Sequence, residues 1–175
     1  MRQNQPVFGQ VFNKKPVAKL LNLGEKDIDA RFPIQEVSTG LPFIIVPLKK
    51  LAAVKAARPD RKLLLDFVRP CAAKDMLIFC PETYQRQNDL NVRVFAEYDG
   101  VPEDPATGSA NGCLAGYLLK HDYFGRDKLD LRVEQGMEIG RPSLLRLKAD
   151  KDGRGIAVSV GGKVIMVAKC VLARP

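Results

Sequence analysis

One segment, Ser109–His121, constrains the fold of this 175-residue chain more than any other. Read as a helix, it carries apolar or small side chains on nearly every face, namely those of Ala110, Gly112, Cys113, Leu114, Ala115, Gly116, Tyr117, Leu118 and Leu119. A helix that is apolar nearly all round is stable only when it is buried. We therefore expect β-strands to surround this helix.

The predicted strands are short, and several alternate cleanly between apolar and polar residues. We place eight of them, at residues 35–38, 42–46, 75–80, 91–96, 129–134, 145–150, 156–160 and 163–168. Gly161 and Gly162 separate the last two and predict a two-residue hairpin. Short helices are expected near residues 17–21, 50–57 and 59–67. The expected fold is α+β: an antiparallel β-barrel of about eight strands wrapped around one central buried helix, in a single domain over residues 1–175.

Composition excludes several classes of protein. With 46% hydrophobic and 27% charged residues, the chain is neither intrinsically disordered nor a disulfide scaffold. Its longest apolar stretch, residues 41–48, is too short to span a bilayer, and residues 1–6 lack the apolar core of a secretory signal. We therefore expect a cytoplasmic protein with no membrane partner. Four scattered cysteines and a single histidine argue against a zinc site, so no metal is predicted.

The net charge of +8 raises the question of nucleic-acid binding. The basic residues fall in short clusters, at 14–15, 49–50 and 58–62, separated by apolar or acidic residues. The sequence has no basic helix and no alternation of aromatic and basic residues. This distribution favours an anionic small ligand over nucleic acid, and no nucleic-acid partner is predicted.

The segment Glu103–Ala110, sequence EDPATGSA, is the candidate site. The first amides of a helix have no partners within the helix, and small residues there allow an anion to approach. Thr107 or Ser109 could add a hydroxyl group, and Asp104 could hold an ammonium group or exchange a proton. An ordinary capped helix explains the same residues, because Asp, Thr and Ser are common N-cap residues. The residues alone leave both interpretations open.

The same segment, continued to Leu119, resembles the signature of the phenazine-biosynthesis isomerase family (PhzF-like proteins). Three further stretches are similar to this family: QEVSTGLP at residues 35–42, VRVF at 92–95 and QGMEIGRPS at 135–143. The resemblance extends from about Gln3 to the C-terminus. It implies a diaminopimelate-epimerase-like fold, in which two similar domains face each other across a cleft.

The resemblance also implies a reaction. The best-known family members isomerise trans-2,3-dihydro-3-hydroxyanthranilate without cofactor or metal, by passing a proton through a carboxylate. Carried over, Asp104 corresponds to an acidic catalytic residue, and Gly108 and Ser109 correspond to the turn that binds the substrate carboxylate. Together with Thr107 they form the predicted substrate-binding set, and no cofactor is expected. Glu103 is expected to be structural.

The sequence departs from the family in one respect. Family members have their main acid/base glutamate near a G-N-P motif, and a glycine-histidine pair opens their other helix. Both features are absent from this sequence. The chain is therefore expected to be a truncated, C-terminal half that is inactive without a complementing N-terminal half. Its expected partners are a small carboxylate substrate and either that half or a second copy in a homo-oligomer. The alternative is a non-catalytic domain that binds small carboxylates or proteins, or a homodimer across the vacant cleft face.

Overall fold

The computed structural model describes residues 1–153 and 155–171. It contains nine strands, β1 (Val7–Phe12), β2 (Ile34–Ser38), β3 (Pro42–Pro47), β4 (Asp75–Cys80), β5 (Leu90–Ala96), β6 (Val101–Asp104), β7 (Lys128–Gln135), β8 (Ser143–Asp152) and β9 (Gly155–Gly162). Its four α-helices are α1 (Lys14–Leu20), α2 (Leu51–Ala56), α3 (Arg61–Val68) and α4 (Gly108–Lys120). Most of these lie where the sequence predicts them, because apolar periodicity and the Pro and Gly positions mark their ends.

The nine strands form one mixed sheet. Eight of them lie in the order β1-β2-β3-β4-β5-β7-β8-β9, and the short strand β6 pairs with β5. The pairs β3–β4 and β5–β7 are parallel, and the other pairs are antiparallel. The prediction of an antiparallel barrel is therefore only partly right: most pairs are antiparallel, but the sheet is mixed. Parallel neighbours need a crossover connection, and α2 and α3 provide one between β3 and β4.

The sheet is covered on both faces, which explains the continuous apolar runs in β3 and β4. One core contains the apolar residues of α4 with Phe43, Ile45 and Leu77 of the sheet. The other core contains residues of α1, α2 and α3 packed on the opposite face, against Ile44 and Ile78. Neighbouring residues of one strand thus contribute to different cores.

Helix α4 is the buried helix that the sequence predicts. Every residue from Ala110 to Leu119 is buried, and the helix packs against β2, β3, β7, β8 and β9. Gly116 is required by packing, because a Cβ there would lie 2.6 Å from the Cγ of Pro6. The structure thus has a curled mixed sheet with one buried helix on its concave side.

The predicted hairpin at Gly161 and Gly162 is wrong. Both glycines are the last residues of β9, and residues 163–171 form no strand. A returning strand would have to pair with the edge of β9 that does not contact β8. Residues near the N-terminus already pair with that edge. The backbone N–H of Gln3 donates to the carbonyl of Val158, and Arg2 forms an isolated β-bridge with Ser159.

None of the helices in residues 1–153 and 155–171 has the length and apolar character that crossing a membrane requires.

Candidate functional site

The candidate site forms where β6 turns into α4. Strand β6 is held against β5 through the pair Val94 and Asp104, and α4 begins four residues later at Gly108. Strand β6 is not among the predicted strands, because Pro102 and two carboxylates are not typical of a strand. The short connection brings Asp104, Thr107, Gly108 and Ser109 together at one end of the buried helix. All four are partly buried.

Thr107 occupies the N-cap position of α4, but its side chain does not cap the helix. Its hydroxyl group donates to Oδ2 of Asp104 at 2.5 Å instead. Within the described part of the chain, no hydrogen bond uses the amides of Gly108, Ser109 or Ala110. The capped-helix interpretation therefore fails, because the side chain of the N-cap residue Thr107 does not cap the helix. The amides of Gly108, Ser109 and Ala110 stay available to an anion.

Glu103 faces away from this site. Its carboxylate accepts two hydrogen bonds from the guanidinium group of Arg93, at 3.1 and 2.7 Å, and both side chains are only 6% exposed. Arg93 also donates to the carbonyls of Val54 and Ala57. Of the two adjacent carboxylates, Asp104 alone is hydrogen-bonded to the N-cap residue of α4.

The buried amide side chains of Gln135 and Asn111 support the site, and neither residue was predicted to belong to it. Gln135, the last residue of β7, forms hydrogen bonds with Asp104, Thr107 and Asn111. Both amide side chains are fully buried. The signal was present in the sequence, since Gln135 follows Val133 on the inward face of β7, where an apolar residue is expected.

Gly136 explains why the end of β7 can approach so closely. It has a φ of +77°, and a Cβ at this position would collide with backbone atoms of Arg141 and Pro105. A residue with a side chain would therefore push β7 away from the connection between β6 and α4. The pair Gln135-Gly136 is thus a structural requirement of the site.

An open groove lies in front of the first residue of α4. Its volume is about 600 Å³, and its lining includes Ala106, Gly108, Ser143, Leu144, Gly161 and Lys163. A Cβ built on Gly108 meets no atom of the described residues within 4 Å. The helix end thus faces free space of a size that holds a small molecule.

The other end of α4 differs chemically. His121, the C-cap residue, forms a 2.8 Å hydrogen bond with Oε1 of Gln35. Burial, and secondarily the charge of Lys120, lowers the pKa of His121 below its ordinary value. The shift disfavours the charged form of His121 and so opposes a positive charge at the helix C-terminus.

Within residues 1–153 and 155–171, no group of three or more His, Cys, Asp and Glu side chains is arranged to hold a metal ion.

Comparison with known proteins identifies the family. The family model described as phenazine biosynthesis-like protein (PhzC-PhzF) matches residues 1–170. The chain belongs to the PhzC-PhzF family. It is 34% identical over 159 residues to the trans-2,3-dihydro-3-hydroxyanthranilate isomerase of Pseudomonas aeruginosa, covering 90% of this chain and 53% of that protein. It is 32% identical over 154 residues to the isomerase YfhB of Bacillus subtilis, covering 87% and 52%.

Solved structures share the fold of this chain. The PhzF family protein of Bacillus anthracis superposes with a TM-score of 0.83 at 28% identity, over 93% of this chain and 56% of that one. A predicted epimerase of Pseudomonas aeruginosa gives a TM-score of 0.73 at 28% identity, over 100% and 58%. The chain thus spans about half the length of the PhzC-PhzF relatives that it matches.

Proposed function

We propose that this chain forms one wall of the active site of a cofactor-independent isomerase that moves a proton on a small carboxylate substrate. In this proposal the amides of Gly108, Ser109 and Ala110 bind the substrate carboxylate, and Asp104 transfers the proton. Thr107 belongs to the site through its hydrogen bond to Asp104. The substrate class is that of the trans-2,3-dihydro-3-hydroxyanthranilate isomerases among the relatives.

The observation that carries this proposal is the free end of α4. The Thr107 hydroxyl group, which could have capped the helix, donates a hydrogen bond to Asp104 at 2.5 Å. The three helix amides donate no hydrogen bond within the described residues. Unpaired amides together with the helix dipole stabilise a negative charge. One helix end therefore presents an anion-binding group and a carboxylate within one short connection.

The chemistry needs no oxidant or reductant. Asp104 takes a proton from one carbon of the substrate, and the electron pair of that C–H bond delocalises toward the substrate carboxylate. The Asp104 carboxyl group, whose proton exchanges in part with water, then donates a proton to another carbon. The helix amides would stabilise the negative charge that accumulates on the carboxylate in the transition state.

We propose that turnover needs a second wall opposite α4. The groove at Gly108 is open, and Ala106 and Gly161 on its border are exposed to solvent. Water in an open groove competes for the amides and for the proton. A separate polypeptide corresponding to the rest of the relatives, or a second copy of this chain, would close it.

The anion-binding step can be tested without turnover. We expect benzoate, titrated into the labelled protein, to shift the amide resonances of Gly108, Ser109 and Ala110. Gly108→Ala should weaken binding roughly tenfold, equivalent to about 1.4 kcal/mol, because its methyl group fills the space that the ligand needs. It should leave stability almost unchanged, since that space is empty.

The matched control is Gly153→Ala, in the turn between β8 and β9, where an added Cβ also meets no atom within 4 Å in the part of the chain that the structure describes. This variant should bind benzoate like the wild type. Benzoate shifts that are confined to other parts of the protein would reject the α4 amides as the binding site.

A further inference from the structure

The side-chain amide of Gln135 has a fixed orientation. One end lies 2.7 Å from the Asp104 carbonyl oxygen, which can only accept a hydrogen bond, so this end is the Nε2 donor. The other end lies 3.2 Å from the Thr107 backbone nitrogen, which can only donate, so this end is Oε1. Asn111 Nδ2 also donates to Oε1, at 2.8 Å. The partners thus determine which end is which.

This orientation fixes the direction of the next hydrogen bond. Nε2 of Gln135 also lies 2.9 Å from the Thr107 hydroxyl oxygen. Because Nε2 can only donate, the hydroxyl oxygen must accept. The single hydroxyl proton is then available for Oδ2 of Asp104, and the carboxylate becomes the acceptor at the end of the chain Gln135–Thr107–Asp104.

We propose that Gln135 is a positioning residue that acts through Thr107 to hold Asp104 as an oriented proton acceptor. This inference rests on the proposed function, in which Asp104 transfers the proton. With Oδ2 held by the Thr107 hydroxyl group, the other oxygen, Oδ1, has no hydrogen bond within the described residues and is the atom that takes the substrate proton. Oδ1 takes the proton from one substrate carbon, exchanges it in part with water, and donates a proton to another carbon, so nothing is oxidised or reduced.

A purely structural role for Gln135 makes a different prediction. As a staple between β7 and the connection to α4, Gln135 would affect stability, and its effect on Asp104 would not depend on the Thr107 hydroxyl group. The two roles are separated by measuring Asp104 directly in a double-mutant cycle.

The experiment compares Gln135→Met, Thr107→Val and the double variant of this chain, all without substrate. The readout is the pH midpoint at which the ¹³C carboxyl resonance of Asp104 titrates, with the free energy of unfolding measured in parallel. Thr107→Val should raise the midpoint by roughly half a unit to one unit, because the carboxylate loses a hydrogen-bond donor. Gln135→Met should raise it as well, and by no more than Thr107→Val.

The double variant decides between the two roles. If Gln135 acts through Thr107, the midpoint in the double variant equals that in Thr107→Val alone. Thr107→Ser, which keeps the hydroxyl group, should restore the wild-type midpoint. Additive midpoint shifts, or a loss of stability in Gln135→Met with an unchanged midpoint, would overturn the proposal.

A second measurement on the unmodified protein covers the case in which Gln135→Met does not fold. In mixtures of light and heavy water, deuterium in the Thr107 hydroxyl group should produce an isotope shift on the Asp104 carboxyl carbon. Absence of this shift at low temperature would overturn the proposal. Neither readout involves catalysis, so failure here is distinguishable from failure of Asp104 as the proton-transfer group in an isomerisation assay.

Discussion

At the scale of single residues, charged groups buried outside the candidate site control stability. Asp75, at the start of β4, is only 4% exposed, and its Oδ1 has no hydrogen-bond partner among residues 1–153 and 155–171. Burial, with a smaller contribution from Asp99, raises the pKa of Asp75 from 3.8 to about 6. The folded protein therefore binds a proton at this residue more tightly than the unfolded chain does.

This shift predicts a specific pH dependence. Because the folded-state pKa is raised, the contribution of Asp75 to stability is fully present below about pH 4 and is lost as pH rises through about 6. Asp75→Asn should remove this loss and raise the free energy of unfolding at pH 8 by about 1–2 kcal/mol, less than the full shift implies because the Asn side chain still leaves a polar group buried at this position. Urea unfolding of both proteins between pH 4 and 8 measures this difference in the free energy of unfolding. Identical pH profiles for the variant and the wild type would rule this account out.

The buried pair Arg93–Glu103 gives a second prediction. Glu103→Gln leaves a guanidinium group in a site that is 6% exposed, and should lower the free energy of unfolding by about 3 kcal/mol. The matched control is Asp130→Asn, which breaks an exposed pair with Lys148 and should lower it by less than about 1 kcal/mol. Equal losses in urea unfolding would contradict the structural role of Glu103.

At the scale of elements, local patterns predict positions better than partners. The buried helix α4, the strand β4 and the pair β2–β3 follow from periodicity and from Gly and Pro punctuation. The parallel pairing of β3 with β4 does not, because continuous apolar runs show that a strand is covered on both faces but not which way its neighbour runs. The strand predicted at residues 163–168 is absent for a similar reason, since residues distant in sequence pair with the edge of β9 that it would have used.

The same limit applies to the candidate site. Asp104, Thr107, Gly108 and Ser109 lie together in one stretch of sequence, so the motif alone brings them to one place. Gln135 lies 28 residues after Thr107, and its role appears only when β7 is placed beside that stretch. The sequence also does not predict that the Thr107 hydroxyl group donates to Asp104 rather than capping the helix.

Two glycines of α4 provide a prediction at this scale. An added Cβ at Gly116 would meet the rigid ring of Pro6 at 2.6 Å, whereas one at Gly112 would meet the flexible side chain of Gln3 at 3.0 Å. Gly116→Ala should therefore lower the free energy of unfolding by about 1–3 kcal/mol, and Gly112→Ala by clearly less. Thermal and urea unfolding of the two variants measure the difference. The reverse order would show that α4 packs differently against the N-terminal segment.

At the scale of the whole molecule, net charge and candidate site are separate. Residues 13–74, which contain α1, α2 and α3, hold 13 of the 28 Lys and Arg residues and 6 of the 20 Asp and Glu residues, a net charge of +7 out of +8. These helices pack on the face of the sheet opposite α4. The +8 charge predicts attraction of an anionic ligand, but in the proposed site the attraction comes from the amides at the start of α4.

The most direct measurement is deuterium incorporation from heavy water into trans-2,3-dihydro-3-hydroxyanthranilate. This chain is mixed with the part of the Pseudomonas aeruginosa isomerase that it does not cover, and compared with the chain alone and with Asp104→Asn. Our account predicts incorporation in the wild-type mixture, at least about a hundredfold less with Asp104→Asn, and none above background for the chain alone. Equal incorporation with Asp104→Asn, or none in the wild-type mixture, would contradict it.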